Sequence, residues 1–594
     1  MSMFQHSMKL NGLRRAAGVA AITVSLAGLG PSSGCSARVT GPSTSRDSSK
    51  EWKDLLIVNA KIWTGRGRFS GSTATGSQPS GMLVRNGRIA AIGSDLHVYS
   101  YANDETHIID AQGQRIIPGI TDSHAHIVSG GFQLDRLNLR EVKDKGEFVA
   151  AVKKEATRLQ RGEWVRGGRW SVDSWASQNA PNKDWIDSVT SDNPVFLSRM
   201  DGHQALVNSA ALKLAGITNT GPEDSKGGEI QRNPTTGEPT GILNESAMGL
   251  VGRHIPAPSA EQRYTALLRA MKYANSLGIT SIHDLSSPAD LEAYRKAKEE
   301  GTLTVRITTY LNVSDWERYL DQVSGYGLYG DMVHLAGFKG FMDGAMGSRT
   351  AYMREPYDDL PKDHPYPRGQ LNAMADPPER FKQAVAMVDE RGLQLAVHAI
   401  GDEANHQLLD AYAYAAERRG GRRVRHRVEH AQHLLVEDIP RFAKLGVVAS
   451  MQPFHKADDG RYAEKAIGKN RLAGSYAFRQ LIDSRATVIF GSDWPVVTLN
   501  PFAGIDSAVN AKTLSGDVWL ASHSLSVEEA IRAYTVMPPR AIRRDDRLGT
   551  LEVGKYADFL ILSDDPFTFP KEDIGAIEVV KTFVGGKMVY DRGR

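Results

Sequence analysis

The sequence predicts an α/β protein: a closed (β/α)8 TIM barrel, a small β-sandwich built from both chain ends, and a long insertion over the barrel mouth. Three observations predict it. Apolar strand-like runs alternate with helical stretches over several hundred residues, the pattern of a parallel sheet. Short β-type segments punctuated by Asn-Gly or Gly stand at both ends of the chain. The stretch from about 135 to 255 is too long for a single β–α connection.

The elements follow in chain order. Lys9, Arg14 and Arg15 precede the apolar run "AAGVAAITVSLAGL", Ala16 to Leu29. It is short and rich in Ala and Gly, the form of a secretory signal peptide. Cys35, the only cysteine, lies just after it in "PSSGCSA". Two cleavage sites fit: before Cys35, with a lipid on that cysteine as a membrane anchor, or after Ala37. Either places the mature protein outside the cytoplasm, periplasmic or extracytoplasmic. Residues 1–37 are thus signal and cleavage region, and 38–53 are a polar, flexible tether. Residues 54–115, with "DLLIVNAKIW" and "GMLVRNGRIAAIG", give the first part of the sandwich. Residues 116–545 are the barrel, with apolar strands such as "GITSIHDL" and "LQLAVHAIG". Residues 546–594, with "GTLEVGKYADFLIL" and "VVKTFVGGKMVYDRG", complete the sandwich.

A barrel carries its chemistry at the C-terminal ends of its strands. "PGITDSHAH" ends the first strand with His124 and His126, which share a face because residues i and i+2 of a strand do. "LAGFKGFMDG" carries Lys339, "LQLAVHAIGD" His398, "VRHRVEHAQ" His430 and "ATVIFGSDWP" Asp493. Singly, each has an ordinary reading: a hydrogen-bonded histidine, a surface lysine, a turn-capping aspartate. Together they aim at one face. Burying so many ionisable groups without a shared partner would cost several kcal/mol each. A divalent cation supplies that partner, and imidazole with carboxylate suits Zn²⁺, with Fe²⁺, Mn²⁺ or Ni²⁺ also admitted. A buried lysine beside cations is favoured as the neutral amine, which can take up CO₂ as a carbamate able to bridge two metals.

These motifs, with "FLSRMDGHQALVNSAAL" and "DGAMGSRTA", resemble the amidohydrolase superfamily from about Leu55 onward. The resemblance is to its amidohydrolase-3 branch, that of the YtcJ-like hydrolases and N-substituted formamide deformylases. It implies that His124 and His126 bind a first metal, His398 and His430 a second, and that Lys339 bridges them as a carbamate. Asp493 is then both metal ligand and proton carrier. The implied cofactor is one or two Zn²⁺ ions. The implied reaction is hydrolysis of a non-peptide C–N bond of the amide or formamide type by metal-activated hydroxide. Deamination, or hydrolysis of an ester, lactone or cyclic amide, is the alternative on the same centre. A non-catalytic barrel would lack ligands, and none of the six is missing.

His203, His283, Asp343, Arg349 and Trp494 are the candidates for substrate contact. Asp284 stands after an apolar run, where a folding role competes with substrate binding. The partner expected is a small-molecule substrate. A net charge of +3 over 594 residues, without a basic patch, argues against nucleic acid. The sequence leaves a homodimer open.

Overall fold

The computed structural model describes residues 52–593, apart from 68–77, 171, 173–174, 176–179, 200–203, 225–227, 314–329 and 419–423. The expected signal segment, the tether up to residue 51, Cys35 and His203 lie outside the described residues. Among the described residues, no helix is long and apolar enough to cross a membrane.

Eight parallel strands form the central sheet, and they are numbered here β1 to β8: Ile120–Ala125, Ile279–Ser286, Arg306–Asn312, Val333–Phe341, Gln394–Ala399, Arg427–His430, Val448–Met451 and Thr487–Phe490. Each pairs with its neighbour in sequence. Their residues are buried almost throughout, as strands covered on both faces must be. The sheet curls until β1 meets the residues after β8. The Asp493 N–H donates to the His124 carbonyl at 2.6 Å and the His126 N–H to the Trp494 carbonyl at 2.8 Å. One side chain staples this seam: Asp122 Oδ1 accepts the backbone N–H groups of His124 and Ser492, both at 3.0 Å.

The connecting helices start where their sequences allow. Helix Ala260–Ser276, which leads into β2, opens with a capping box between Ser259 and Gln262. Its buried face includes Leu267, Ala270, Met271 and Ala274, at helical spacing.

Residues 135–255 carry a mixed sheet of their own, in the order Gly228–Arg232, Pro239–Glu245, Gln204–Val207, Val195–Arg199, Val165–Trp170, Leu137–Asn138. Its core is separate from the barrel's and gathers Phe148, Val165, Leu197, Leu206 and Ile242.

Two further sheets join the chain ends. Strand Phe559–Leu562 pairs antiparallel with Arg115–Pro118, and Leu55, Ile57, Met82, Ile116, Phe559 and Phe583 share one core. The hairpins turn where expected: Asn86-Gly87 and Gly585-Gly586 all hold positive φ, between 49° and 75°. Two-residue turns of this kind match the twist of the strands they join.

Candidate metal centre

His124 is fixed from behind. Its Nδ1–H donates to Glu429 Oε2 at 2.5 Å. Glu429 is in turn gripped by Arg427, with Nε to Oε1 at 2.7 Å and Nη2 to Oε2 at 3.0 Å. Both members of this ion pair are fully buried. A carboxylate on Nδ1 leaves the Nε2 lone pair facing outward, the arrangement that orients metal-binding imidazoles. His126 is set likewise, with Nδ1–H donating to the Leu285 carbonyl at 3.2 Å. The two Nε2 atoms each lie 3.3 Å from Asp493 Oδ1.

The other donors approach from β4, β5 and β6. The His430 ring centre is 4.8 Å from that of His124 and 4.4 Å from that of His398. His430 Nδ1 is buried with no hydrogen-bond partner. His398 donates Nε2–H to the Gly344 carbonyl at 3.0 Å, which leaves its Nδ1 lone pair free. Lys339 is buried, and it lines the same cavity of about 650 Å³ as the four histidines and Asp493. The ligand atoms of His124, His430 and Asp493 lie within 4.8 Å of one another, so this trio could hold a metal ion.

The electrostatics suit ligands. Burial pulls His398 down to about 3 and His430 well below its ordinary value, so both present neutral imidazoles. Burial also lowers Lys339 to about 8, against the pull of Glu429 and Asp493. For Asp493 burial pushes upward, but the positive charge of His124 and the hydrogen bonds with His124 and His126 overcome it and hold the carboxylate well below the usual range. Against burial and Lys339, the Asp493 and Glu429 carboxylates in turn raise His124. Asp493 and His430 also adopt left-handed backbone, at φ 61° and 75°. Such conformations cost about 1–3 kcal/mol each in a non-glycine residue and cluster at functional sites.

Of the four described residues expected to touch substrate, three fall elsewhere and one lines the cavity. His283 is fully buried inside the barrel, where its Nδ1 accepts from Arg427 Nη1 at 2.8 Å. Asp343 is also buried and clamps two loops, accepting the N–H groups of Tyr352 (2.8 Å), Ile400 (3.0 Å) and Gly401 (2.8 Å). Trp494 packs on the helix after β1: a Cβ on Gly130 would come within 2.1 Å of its ring. These three therefore support the fold instead of lining the cavity. Arg349 does line it, although its guanidinium is engaged by Asp359 at 2.9 Å and 2.5 Å.

Two residues were missed. Glu429 stands beside His430 in "RVEH", where Arg and Glu two apart on a buried strand signal an internal ion pair. His455 lies four residues beyond β7. Its Nε2 is buried without a hydrogen-bond partner, 4.0 Å from Asp493 Oδ2. Reading past the end of "GVVASMQP" for polar residues would have found it.

Residues 107–590 match the sequence profile of the Amidohydrolase family, Amidohydro_3. The chain belongs to that family. Protein LONG AFTER FAR-RED 3 of Arabidopsis thaliana is 38% identical over 551 residues, 90% of this chain and 91% of that one. The putative amidohydrolase YtcJ of Bacillus subtilis is 32% identical, covering 89% and 99%. The N-substituted formamide deformylase of Arthrobacter pascens is 27% identical, covering 91% and 99%. Among solved structures, an uncharacterized metal-dependent hydrolase from Pyrococcus horikoshii superposes with a TM-score of 0.70 at 25% identity, over 87% of this chain and 99% of that one. The branch read from the motifs and the barrel architecture are both borne out.

Proposed function

We propose that this amidohydrolase hydrolyses a non-peptide C–N bond of the amide or formamide type, with Zn²⁺ as its metal. The observation that carries the reading is the convergence of His124, His430 and Asp493 on one point, with His126, His398 and Lys339 on the same cavity wall. The donor set fits a divalent cation: neutral imidazoles on His398 and His430, an ionised carboxylate, and a ring nitrogen on His430 that is otherwise unsatisfied. His124, His126 and Asp493 would hold one ion, and His398 and His430 a second. Lys339 would bridge them after its neutral amine adds CO₂, forming an N–C bond and releasing one proton. When bound, the metal supplies a Lewis acid for the carbonyl and lowers the pKa of water towards 7.

The chain's own groups do the rest. Asp493 is held ionised, so it is in the form that accepts a proton from the attacking water. It then returns that proton to the departing nitrogen, without which an amine leaves poorly. Glu429 and Arg427 keep His124 in one tautomer and one orientation. Phe341 and Phe454 give the cavity apolar surface beside the reacting groups. The formamide class is supported by the kinship with a formamide deformylase.

The test is a metal-replacement experiment on a panel of formamides, N-acyl amines, ureas and lactones. Thorough chelation is expected to remove hydrolysis and bound metal together, and Zn²⁺ to restore both. Asp493→Asn should cost about 10²–10⁴-fold in rate, the usual worth of a positioned proton carrier. Lys339→Ala should lose activity and recover part of it with a short carboxylic acid. Turnover that survives chelation overturns the metal reading. Turnover confined to lactones keeps a hydrolase and overturns the C–N assignment.

A further inference from the structure

We propose that the substrate carries an anionic end group and that Arg140 and Arg169, from the insertion, receive it in this same cavity. The inference rests on the hydrolytic reading of the centre and adds the substrate's charge to it.

The cavity wall holds four arginines: Arg140, Arg169, Arg349 and Arg461. Two are neutralised in place, Arg349 by Asp359 and Arg461 by Asp458. The remaining wall carboxylates are also committed. Asp459 Oδ2 accepts from the Tyr476 hydroxyl and from Gln432, both at 2.6 Å, and Asp493 belongs to the histidine cluster. Arg140 and Arg169 have no carboxylate within ion-pair reach among the described residues. The hydrogen bond of the Arg169 guanidinium is from Nη2 to the Val496 carbonyl, at 3.3 Å. Burial, and then the charge of Arg140, lower the Arg169 pKa, so the two cations feel each other. Like charges held together at a cavity wall are relieved by an anion between them.

The backbone is built to put Arg169 there. Ser198 pairs with Gly168 and Arg199 with Trp170, so the register slips and Arg169 has no partner across the sheet. It is the extra residue of a bulge, a device that re-aims a side chain. The bulge requires positive φ at three successive residues: Gly167 and Gly168, at 127° and 115°, adopt it freely, whereas Arg169 holds φ 63° at a cost. A Cβ on Gly167 would lie 2.1 Å from the Leu137 carbonyl oxygen, and one on Gly168 2.2 Å from that of Ser198. A left-handed arginine costs about 1–3 kcal/mol. Here that conformation presents a guanidinium without a carboxylate partner among the described residues to the cavity that contains the candidate centre. Guanidinium forks match carboxylate and phosphonate oxygens two at a time. The apolar wall residues Met346, Val497 and Leu514 suit a hydrocarbon spacer between that end group and the scissile bond.

Two measurements test this separately from the reaction. The first compares N-formyl ω-amino acids of increasing chain length, the matching N-formyl-ω-aminoalkylphosphonates, and the uncharged N-formyl carboxamides as substrates. At the best length the charged compound is expected to show at least about a 10-fold higher kcat/KM than its carboxamide. That ratio should fall towards one in Arg140→Met/Arg169→Met and with rising salt, and the carboxylate and phosphonate arms tell which anion fits. The second measures binding of dansyl-6-aminohexanoate and its carboxamide to chelated, metal-free protein, with Arg140→Met alone as the milder variant at an exposed position. Selective binding of the carboxylate, lost in the variants, is expected even where no compound is turned over. Failure of hydrolysis with selective binding intact therefore counts against the reaction alone. A ratio of one in the unaltered enzyme, or selectivity that survives both substitutions, overturns the anion subsite.

Discussion

The Asp284 carboxyl is out of water and close to His126. Its Oδ1 accepts the Ile127 N–H at 2.7 Å and its Oδ2 the Tyr294 hydroxyl at 2.5 Å. Burial outweighs these bonds and lifts its pKa from 3.8 to about 6. The sign follows from comparing the two states. The unfolded carboxyl ionises first as pH rises, so the native state loses stability between about pH 4 and 6 and no further above that. An asparagine of the same shape does not titrate. The stability of Asp284→Asn relative to the parent should therefore rise by about 2 kcal/mol between pH 4.5 and pH 7.5. Urea unfolding of chelated protein reads this directly, and a difference that stays flat across the window refutes the buried-acid account. The sequence left Asp284 between substrate binding and folding; its two hydrogen bonds, both within the barrel wall, decide for folding.

At the scale of the element, the centre depends on one closure. His124 and His126 come from β1 and Asp493 follows β8, so the seam between those strands sets their spacing. Gly491 makes the seam possible: a Cβ there would lie 2.5 Å from the His124 backbone nitrogen and 2.8 Å from Asp122 Oδ1. Neither atom can yield without breaking the staple of Asp122 to Ser492. Gly491→Ala should cost about 1–3 kcal/mol through overpacking. Because the strain falls between the ligands, it should lower bound metal more than it lowers the unfolding midpoint of the chelated protein. Equal metal content in mutant and parent would show that the ligands do not depend on the seam. This also marks what was legible. Strand ends such as "PGITDSHAH" and "ATVIFGSDWP" advertise ionisable residues after apolar runs, and Asn86-Gly87 advertises its turn. The need for a bare glycine at 491 is invisible along the chain, because it comes from Asp122, 370 positions before the Ser492 it holds. The bulge at Arg169 is hidden for the same reason: it exists only against its partner strand.

Over the whole molecule, the chain ends matter because they brace the barrel from below its strand starts. The pattern of short strands at both termini announced a shared sandwich, but not the charged joint that locks it. Asp558 immediately precedes strand Phe559–Leu562 and accepts from Arg306, the first residue of β3, at 2.6 Å and 2.9 Å. The same carboxylate takes the Gly585 N–H at 2.7 Å, and the Asp558 carbonyl takes the Gly119 N–H at 2.9 Å just before β1. One residue thus ties the C-terminal hairpin, the sandwich and two barrel strands. Arg306 is 5% exposed, so removing its partner strands a charge that water cannot reach. Breaking one side of such a pair costs about 3–5 kcal/mol, whereas the pair as a whole adds little over apolar packing. Asp558→Ala is therefore expected to lose that much stability in urea, and Arg306→Met/Asp558→Leu to regain most of it. Turnover per folded molecule at 25 °C should stay near the parent value in both, since neither residue lines the cavity. A single mutant as stable as the parent would mean that the sandwich is held by its apolar core alone, with the ion pair an accompaniment.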